Sequence, residues 1–253
     1  MKTVWTIAKR EYNQYFNSPI AYVVMFMIML VLGIIFAIVV RSSIDQAMQM
    51  QAFGGPATAP DNTPITGNLA FLLVFSIPAL TMRLVSDEAR MGTMELLLTA
   101  PIRDWELIVG KWLGAFLFIL TIAALTLVFP LMLTFQINNG LDPKQLVSSY
   151  LGIMFVAAAF LGMGVGISSL FSNQIAAFFL TMAAFIFMWW MVGFPAGLVQ
   201  GGTNLFQYLD MKSHFYDTFN MGKIMLADIV YYVSLTVLGL FVGTTAVEMR
   251  RWR

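Results

Sequence analysis

Six long apolar runs alternate with shorter polar stretches along the chain. They occupy residues 20–40, 68–84, 112–135, 147–171, 175–199 and 224–247. Four of the runs contain no charged residue, and the other two hold one each, Arg83 and Asp228. A helix needs ~20 mainly apolar residues to cross a bilayer, where only helices and closed barrels satisfy their backbone hydrogen bonds. Because the runs lack the strict alternation of barrel strands, the pattern predicts an all-α integral membrane protein with six transmembrane helices.

Composition narrows the class further. Hydrophobic residues make up 59% of the 253 residues and charged residues 11%, whereas soluble domains contain about 25% charged residues. The net charge of +1 provides no broad basic surface, so nucleic acid is not an expected partner. The sequence has no Cys and one His, which excludes disulfides, a Cys nucleophile and a multi-His metal centre. We therefore expect membrane lipids around the chain and no metal within it.

The distribution of Lys and Arg predicts the orientation of the chain in the membrane. Four of the 14 basic residues fall in the connections on one side, and ten fall on the side that holds both termini. The ten are Lys2, Lys9, Arg10, Arg83, Arg90, Arg103, Lys111, Arg250, Arg251 and Arg253. Cytoplasmic segments carry the excess of basic residues, so both termini are predicted to be cytoplasmic.

Residues 2–17 precede the first apolar run and have a different character. Trp5, Tyr12, Tyr15 and Phe16 recur at helical spacing, with basic and amide residues elsewhere on the helical wheel. This pattern is typical of an amphipathic helix lying in the membrane interface with its aromatic side chains at headgroup depth. The alternative interpretation is a positively charged flank of the first span.

The connection between the second and third spans contains signals for a short helix. Gly92 permits a turn, Thr93 can cap a helix over residues 94–99, and Pro101 ends that helix. The helix carries three consecutive leucines, residues 96–98, on a cytoplasmic loop. An exposed leucine cluster indicates a binding partner, but it can equally pack on the cytoplasmic face of its own chain.

Residues 82–102, from Met-Arg-Leu-Val-Ser-Asp-Glu to Thr-Ala-Pro-Ile, resemble the signature of ABC-2 type permeases. The pattern is an acid, Gly-Thr, an acid, Leu-Leu and a Pro, with Gly-Lys before the third span. Further stretches are similar to the gliding-motility-type (GldF-like) branch of that family. They are Phe16-Asn-Ser-Pro-Ile-Ala-Tyr, Met211-Lys-Ser-His-Phe-Tyr-Asp-Thr-Phe and the tail from Tyr231 to Arg253.

The resemblance implies a single ABC-2 type transmembrane domain, residues 1–253, that moves substrate across the bacterial inner membrane. Two such permeases, identical or related, would pair, and each would dock on a separate ATPase subunit that binds ATP and Mg²⁺. The helix after Gly92 would be the coupling helix, and residues 2–17 the connecting helix. The residues assigned to ATPase coupling are Glu88, Gly92, Thr93, Glu95, Leu96, Leu97 and Pro101, with the two acids as polar contacts and the two leucines as apolar ones.

The chain itself lacks a phosphate-binding loop. Gly110-Lys111 is followed by Trp112, and Trp105 stands where such a loop needs Gly. We therefore expect no catalytic residue and no bound cofactor in this chain, and ATP hydrolysis in a partner.

Four smaller motifs have competing interpretations. Ala158, Gly162 and Gly166 suit close helix packing, within the chain rather than at a dimer seam. Ser168 and Ser169 resemble a rhomboid protease motif, but the single His lies in an external connection. That residue, His214, shares a predicted helical face with two Asp residues, Asp210 and Asp217, that could bind a metal or a proton. Asp228 is a candidate intramembrane polar site or a polar cap.

Two further functional classes stay open. A mechanotransmission or assembly complex would use the ATPase cycle on an external or auxiliary partner without moving cargo. The resemblance to the gliding-motility-type branch adds an auxiliary membrane protein with an external domain as a candidate partner. A secondary carrier would place charged or broken helices at the bilayer midplane, whereas five runs are uncharged in their interiors. Uncharged spans suit a hydrophobic or lipid-like cargo, but they suit plain lipid contact as well.

Overall fold

The computed structural model describes residues 2–53, 62–92, 102–136, 141–194, 206 and 208–251. The helices are α1 (Lys2–Asn17), α2 (Pro19–Ala52), α3 (Thr63–Thr81), α4 (Ser86–Arg90), α5 (Asp104–Thr126), α6 (Val128–Gln136), α7 (Pro143–Leu170), α8 (Gln174–Ile186) and α9 (Leu226–Arg251). A π-helical turn, Phe187–Met191, continues α8. Short helical turns between Met211 and Met221 form what we call the distal segment.

Six of these helical stretches are long and apolar enough to cross a membrane. They are Pro19–Gln49, Thr63–Glu88, Asp104–Thr134, Pro143–Leu170, Gln174–Met191 and Leu226–Arg250. The described residues contain no strand. The predicted all-α membrane fold with six spans is therefore confirmed.

The first span is longer than the apolar run that predicts it. The run ends at residue 40, but α2 continues to Ala52. The hydroxyls of Ser42 and Ser43 donate to the carbonyl oxygen of Val39, at 2.9 and 2.8 Å. The Ala, Gln and Met residues that follow are good helix formers, so the helix extends beyond the apolar part.

The third span begins earlier than predicted and is interrupted near its end. α5 begins at Asp104, where the Glu106 carboxylate accepts from the backbone N–H of Arg103 at 3.2 Å. α5 ends at Thr126 and α6 begins at Val128. Pro130 explains the interruption, because a proline ring clashes with the carbonyl four residues earlier, that of Thr126.

Both ends of the bundle can be identified from contacts. Gly243 near the end of α9 faces Ile108 near the start of α5, since a Cβ built on it would lie 3.2 Å from the Ile108 Cγ2 atom. α1 also packs on the start of α5, as described below. We call this the terminal end, and the opposite end, which holds the distal segment, the distal end.

α7 and α3 are the most buried spans, whereas α2 and α8 are peripheral. Small residues let α9 approach α7 closely. A Cβ built on Gly162 would lie 2.9 Å from the carbonyl oxygen of Thr236, and one on Gly166 would lie 2.5 Å from that of Gly239. The predicted small-residue stripe therefore packs within the chain rather than at a dimer seam.

Gly166→Ala is expected to lower the free energy of unfolding by about 1–3 kcal/mol, because the new methyl group overlaps backbone atoms of α9. The measurement is the thermal unfolding midpoint of the purified protein. Gly33→Ala is the matched control, since its Cβ would lie at an ordinary 3.8 Å from the Phe129 ring. Equal midpoints for the two variants would contradict the close α7–α9 contact.

Candidate functional site

α1 is fixed on the first turns of α5 by two glycines. A Cβ on Gly110 would lie 2.8 Å from the Cβ of Ile7, and one on Gly114 would lie 2.8 Å from the carbonyl oxygen of Ala8. The absence of side chains at these two positions lets the helix backbones approach each other. This contact packs α1 directly against the third span.

The aromatic residues predicted to lie at headgroup depth have different environments. Tyr12 shares a hydrogen bond of 3.0 Å with Thr121, and Tyr15 stacks on Phe118 with ring centroids 4.7 Å apart. Phe16 packs edge-on against the same ring at 5.7 Å. Trp5 alone of the four predicted residues is mostly exposed. Three of the four therefore fasten α1 to α5, which the helical pattern by itself does not reveal.

A cluster of four charges, two of them buried, lies where α1, α4 and α5 meet. Lys111 Nζ lies 3.1 Å from Glu11 Oε1 and 2.8 Å from Glu88 Oε1. Only 2% of the Lys111 side chain and 7% of the Glu11 side chain are exposed. Arg10 reaches the same two oxygens at 2.9 and 3.4 Å. Two cations thus balance two carboxylates, which is what burial of charge requires. We call these four residues the ionic joint.

The outer cation of the ionic joint is held in its charged form. A hydrogen bond to the Glu11 carboxylate raises the pKa of the Arg10 guanidinium above its ordinary value, against the opposing effect of partial burial. Arg10 therefore stays charged at any physiological pH.

α4 is held from the other side as well. Ser168 at the end of α7 accepts from the backbone N–H groups of Val85 and Ser86, at 3.4 and 3.3 Å. Gln174 at the start of α8 donates to the Asp87 carboxylate. Ser168 thus has a structural role in this turn, and the structure does not bring it together with His214, as the protease interpretation requires.

The ionic joint lies directly before residues 92–101, the predicted coupling segment. Glu88 belongs to it, and α4 is followed by Gly92, whose φ of +70° lies in the left-handed region that favours glycine. Of the other residues predicted to contact an ATPase, Thr93, Glu95, Leu96, Leu97 and Pro101 lie outside the described residues.

Sequence reasoning missed Glu11, Arg10 and Lys111 as parts of one site. Two signals were present. Glu11 is the only acidic residue of α1, and Lys111 directly precedes the uncharged run 112–135, where a buried charge needs a partner. Neither signal identifies the partner, because Glu11 and Lys111 are 100 positions apart in the chain.

A cavity of about 410 Å³ adjoins the ionic joint. Its walls come from the four helices α1, α2, α3 and α4 and from Lys111, and they include Gln14, Tyr15, Ser18 and Arg83. The buried Tyr15 hydroxyl has no hydrogen-bond partner among the described residues. Burial raises the pKa of this phenol above its ordinary value, so it stays protonated.

A second buried polar site lies at the distal end. His214 Nδ1 lies 2.6 Å from Asp228 Oδ1, and His214 Nε2 lies 2.7 Å from the carbonyl oxygen of Tyr208. Asp228, the candidate intramembrane polar residue, is thus buried and paired. The predicted face of Asp210, His214 and Asp217 does not form one site, because Asp210 caps the distal segment at the N–H of Lys212 and Asp217 is exposed.

Both sites consist of acidic side chains paired with basic ones. Within the described ranges, no group of three His, Asp or Glu side chains is arranged to hold a metal ion. The carboxylates of the ionic joint are occupied by cations. What this arrangement can do is connect three helices rigidly.

A known protein family matches nearly the full length of the chain. A family model described as ABC-2 family transporter protein matches residues 5–248, from α1 to nearly the end of α9. No curated protein matches the chain.

Proposed function

Because the chain belongs to the ABC-2 family of transporter proteins, we propose that it is a permease subunit driven by a separate ATPase. The family consists of membrane-embedded transport subunits, and the six apolar helices make this chain a multi-pass membrane protein. The proposal adds that two protomers pair, that each binds one ATPase subunit carrying ATP and Mg²⁺, and that substrate crosses the inner membrane between them. The assignment to the gliding-motility-type branch stays a prediction.

The ionic joint is the observation that carries this proposal. It connects α4, the helix before the coupling segment, to α5 and α1. Lys111 on α5 contacts Glu88 on α4 and Glu11 on α1. A push on residues 93–101 would reach the third span through these contacts. α1 would move with it because it is packed on α5 at Gly110 and Gly114.

Burial makes the joint strong enough to transmit a displacement. An exposed ion pair contributes about 0–1 kcal/mol and breaks easily. Separating a buried pair leaves unpaired charges and costs about 3–5 kcal/mol. Opening the joint would carry this cost, so we expect the α1–α4–α5 unit to move as a rigid body between two ATPase states.

The proposed orientation places the terminal end in the cytoplasm, where an ATPase would be. Since the chain has no native Cys, single-cysteine variants report accessibility without background. In cells whose outer envelope is permeabilised but whose inner membrane is intact, we expect a membrane-impermeant maleimide to label Gln46→Cys at the distal end of α2. Arg90→Cys on α4 should be labelled only after the inner membrane is opened. The reverse labelling would contradict the orientation.

Purification of the tagged full-length chain tests the proposed function itself. We expect an ATP-binding-cassette ATPase to copurify from native membranes in mild detergent, with one copy per permease. Recovery of the intact permease without any ATPase would contradict the proposal. A complex whose protomer interface stays sealed in every nucleotide state would instead favour mechanotransmission on an auxiliary partner.

A further inference from the structure

His214 is placed between two hydrogen-bond acceptors. Its Nδ1 atom faces the Asp228 carboxylate at 2.6 Å, and its Nε2 atom faces the Tyr208 carbonyl at 2.7 Å. The side chains of His214 and Asp228 are 10% and 4% exposed, so little solvent reaches this pair. A neutral imidazole has one N–H and can donate to only one of the two acceptors, whereas an imidazolium donates to both.

We propose that His214 and Asp228 form a buried proton-binding site that fastens the distal segment to α9. The geometry places the proton on the imidazole, because only then do both ring nitrogens donate to the oxygens that face them. If it is removed, a nitrogen lone pair faces either a carboxylate or a carbonyl oxygen in a buried site, and one of the two contacts becomes repulsive.

The second oxygen of Asp228 supports this assignment. Asp228 Oδ2 is buried and has no hydrogen-bond partner among the described residues. A buried carboxylate with so few donors needs a neighbouring positive charge. His214 is the group in contact with it, through the 2.6 Å bond.

Neighbouring aromatic rings also favour a cation. The His214 ring stacks on Tyr231 with centroids 4.3 Å apart and planes 22° apart, an arrangement in which the ring face attracts positive charge. The Tyr231 and Tyr232 hydroxyls donate to the carbonyl oxygens of Leu209 and Met211, at 2.7 and 2.8 Å. Tyr208 contacts the imidazole edge-on through its own ring.

The charged groups around the site favour a positively charged imidazole. Asp210, which precedes the distal segment, adds a second acid close to His214, and burial raises the pKa of this carboxyl above its ordinary value. Lys212 is exposed and lies over the Tyr216 ring at 5.7 Å. Asp217, on the same segment as His214, is exposed. The acids therefore predominate around the imidazole.

The sign of the pH dependence follows from the proton count. Above pH ~6.5 a solvated His is mostly neutral, so the unfolded chain holds no proton here while the folded site holds one. Stability falls with rising pH wherever the folded state binds more protons. We therefore expect the thermal unfolding midpoint of the wild type to fall by ~3–5 °C between about pH 6.5 and pH 8.5.

Asp228→Asn tests the role of the proton while keeping both hydrogen bonds of His214. The Asn amide can donate to an unprotonated Nδ1 atom while Nε2–H donates to Tyr208, so both contacts persist with a neutral imidazole. The variant should fold and its midpoint should not vary over this pH range. Asp217→Asn, which removes one acid from the exposed face of the same segment, is the matched control and should retain the wild-type fall. Parallel curves for wild type and Asp228→Asn would overturn the proposal.

Nitrogen NMR of the wild type tests the site without any variant. His214 is the single His in the sequence, so histidine-selective ¹⁵N labelling gives one unambiguous imidazole. We expect both ring nitrogens to carry hydrogen at pH ~7.5, above the ordinary titration range of His. An imidazole with one unprotonated nitrogen at that pH, or one titrating near ~6.5 like a solvated His, would overturn the proposal.

Discussion

Lys111→Met is expected to destabilise the protein by about 3–5 kcal/mol, because Glu11 and Glu88 lose the cation that lies between them. Arg10 contacts the same carboxylates, but its side chain is 54% exposed and cannot fill the buried position. Met has a similar length, so the change removes charge rather than volume. The thermal unfolding midpoint of the purified protein should fall by about 10 °C.

Arg90→Met is the matched control for this variant. Arg90 also pairs with a carboxylate, that of Asp87 at 3.4 Å, but its side chain is 64% exposed. An exposed pair contributes about 0–1 kcal/mol, so the midpoint should change little. If the two Met variants lose the same stability, the ionic joint is not the strong connection that its burial indicates.

A triple variant distinguishes the stability of the joint from its role in coupling. Glu11→Leu, Lys111→Met and Glu88→Leu together replace the ionic cluster by hydrophobic residues of similar size, which often leaves stability unchanged. We expect the triple variant to recover much of the lost stability and to retain the ATPase subunit. Its ATPase rate in the reconstituted complex should nevertheless no longer respond to the permease. A normal response would show that displacement passes by another route.

Leu96→Asp combined with Leu97→Asp is expected to abolish copurification of the ATPase. Burying a Leu side chain contributes about 1.5–3 kcal/mol, so losing two costs about 3–6 kcal/mol of binding free energy. This corresponds to a loss of affinity of about 10²–10⁴-fold. The measurement is the amount of ATPase recovered per permease after affinity purification, with permease folding checked by its unfolding midpoint.

Leu209→Asp is the control for the leucine pair. It makes the same chemical change at an exposed position of the distal end. ATPase recovery should match the wild type, because the proposed docking surface lies at the opposite end. Unchanged recovery with the leucine pair replaced would remove residues 93–101 from the proposed interface, whereas a loss with Leu209→Asp would indicate a general defect.

The span count and the extent of α1 could be predicted because both depend on local patterns. Long uncharged runs can form only helices in lipid, and the aromatic spacing of residues 2–17 predicts a helix over the range that the structure gives to α1. The bounds of the spans were less predictable. Hydropathy locates the apolar part of a helix, but good helix formers extend α2 to Ala52 and Pro130 divides the third span.

The sequence by itself determined that this chain spans a membrane as six helices. In a bilayer every long apolar run must satisfy its own backbone hydrogen bonds, and a helix does so. Tertiary structure decided which charges meet. Lys111 pairs with Glu11 and Glu88 at the terminal end, and His214 pairs with Asp228 at the distal end. A buried charge in an apolar chain requires a partner, but distance in space and not position in sequence selects it.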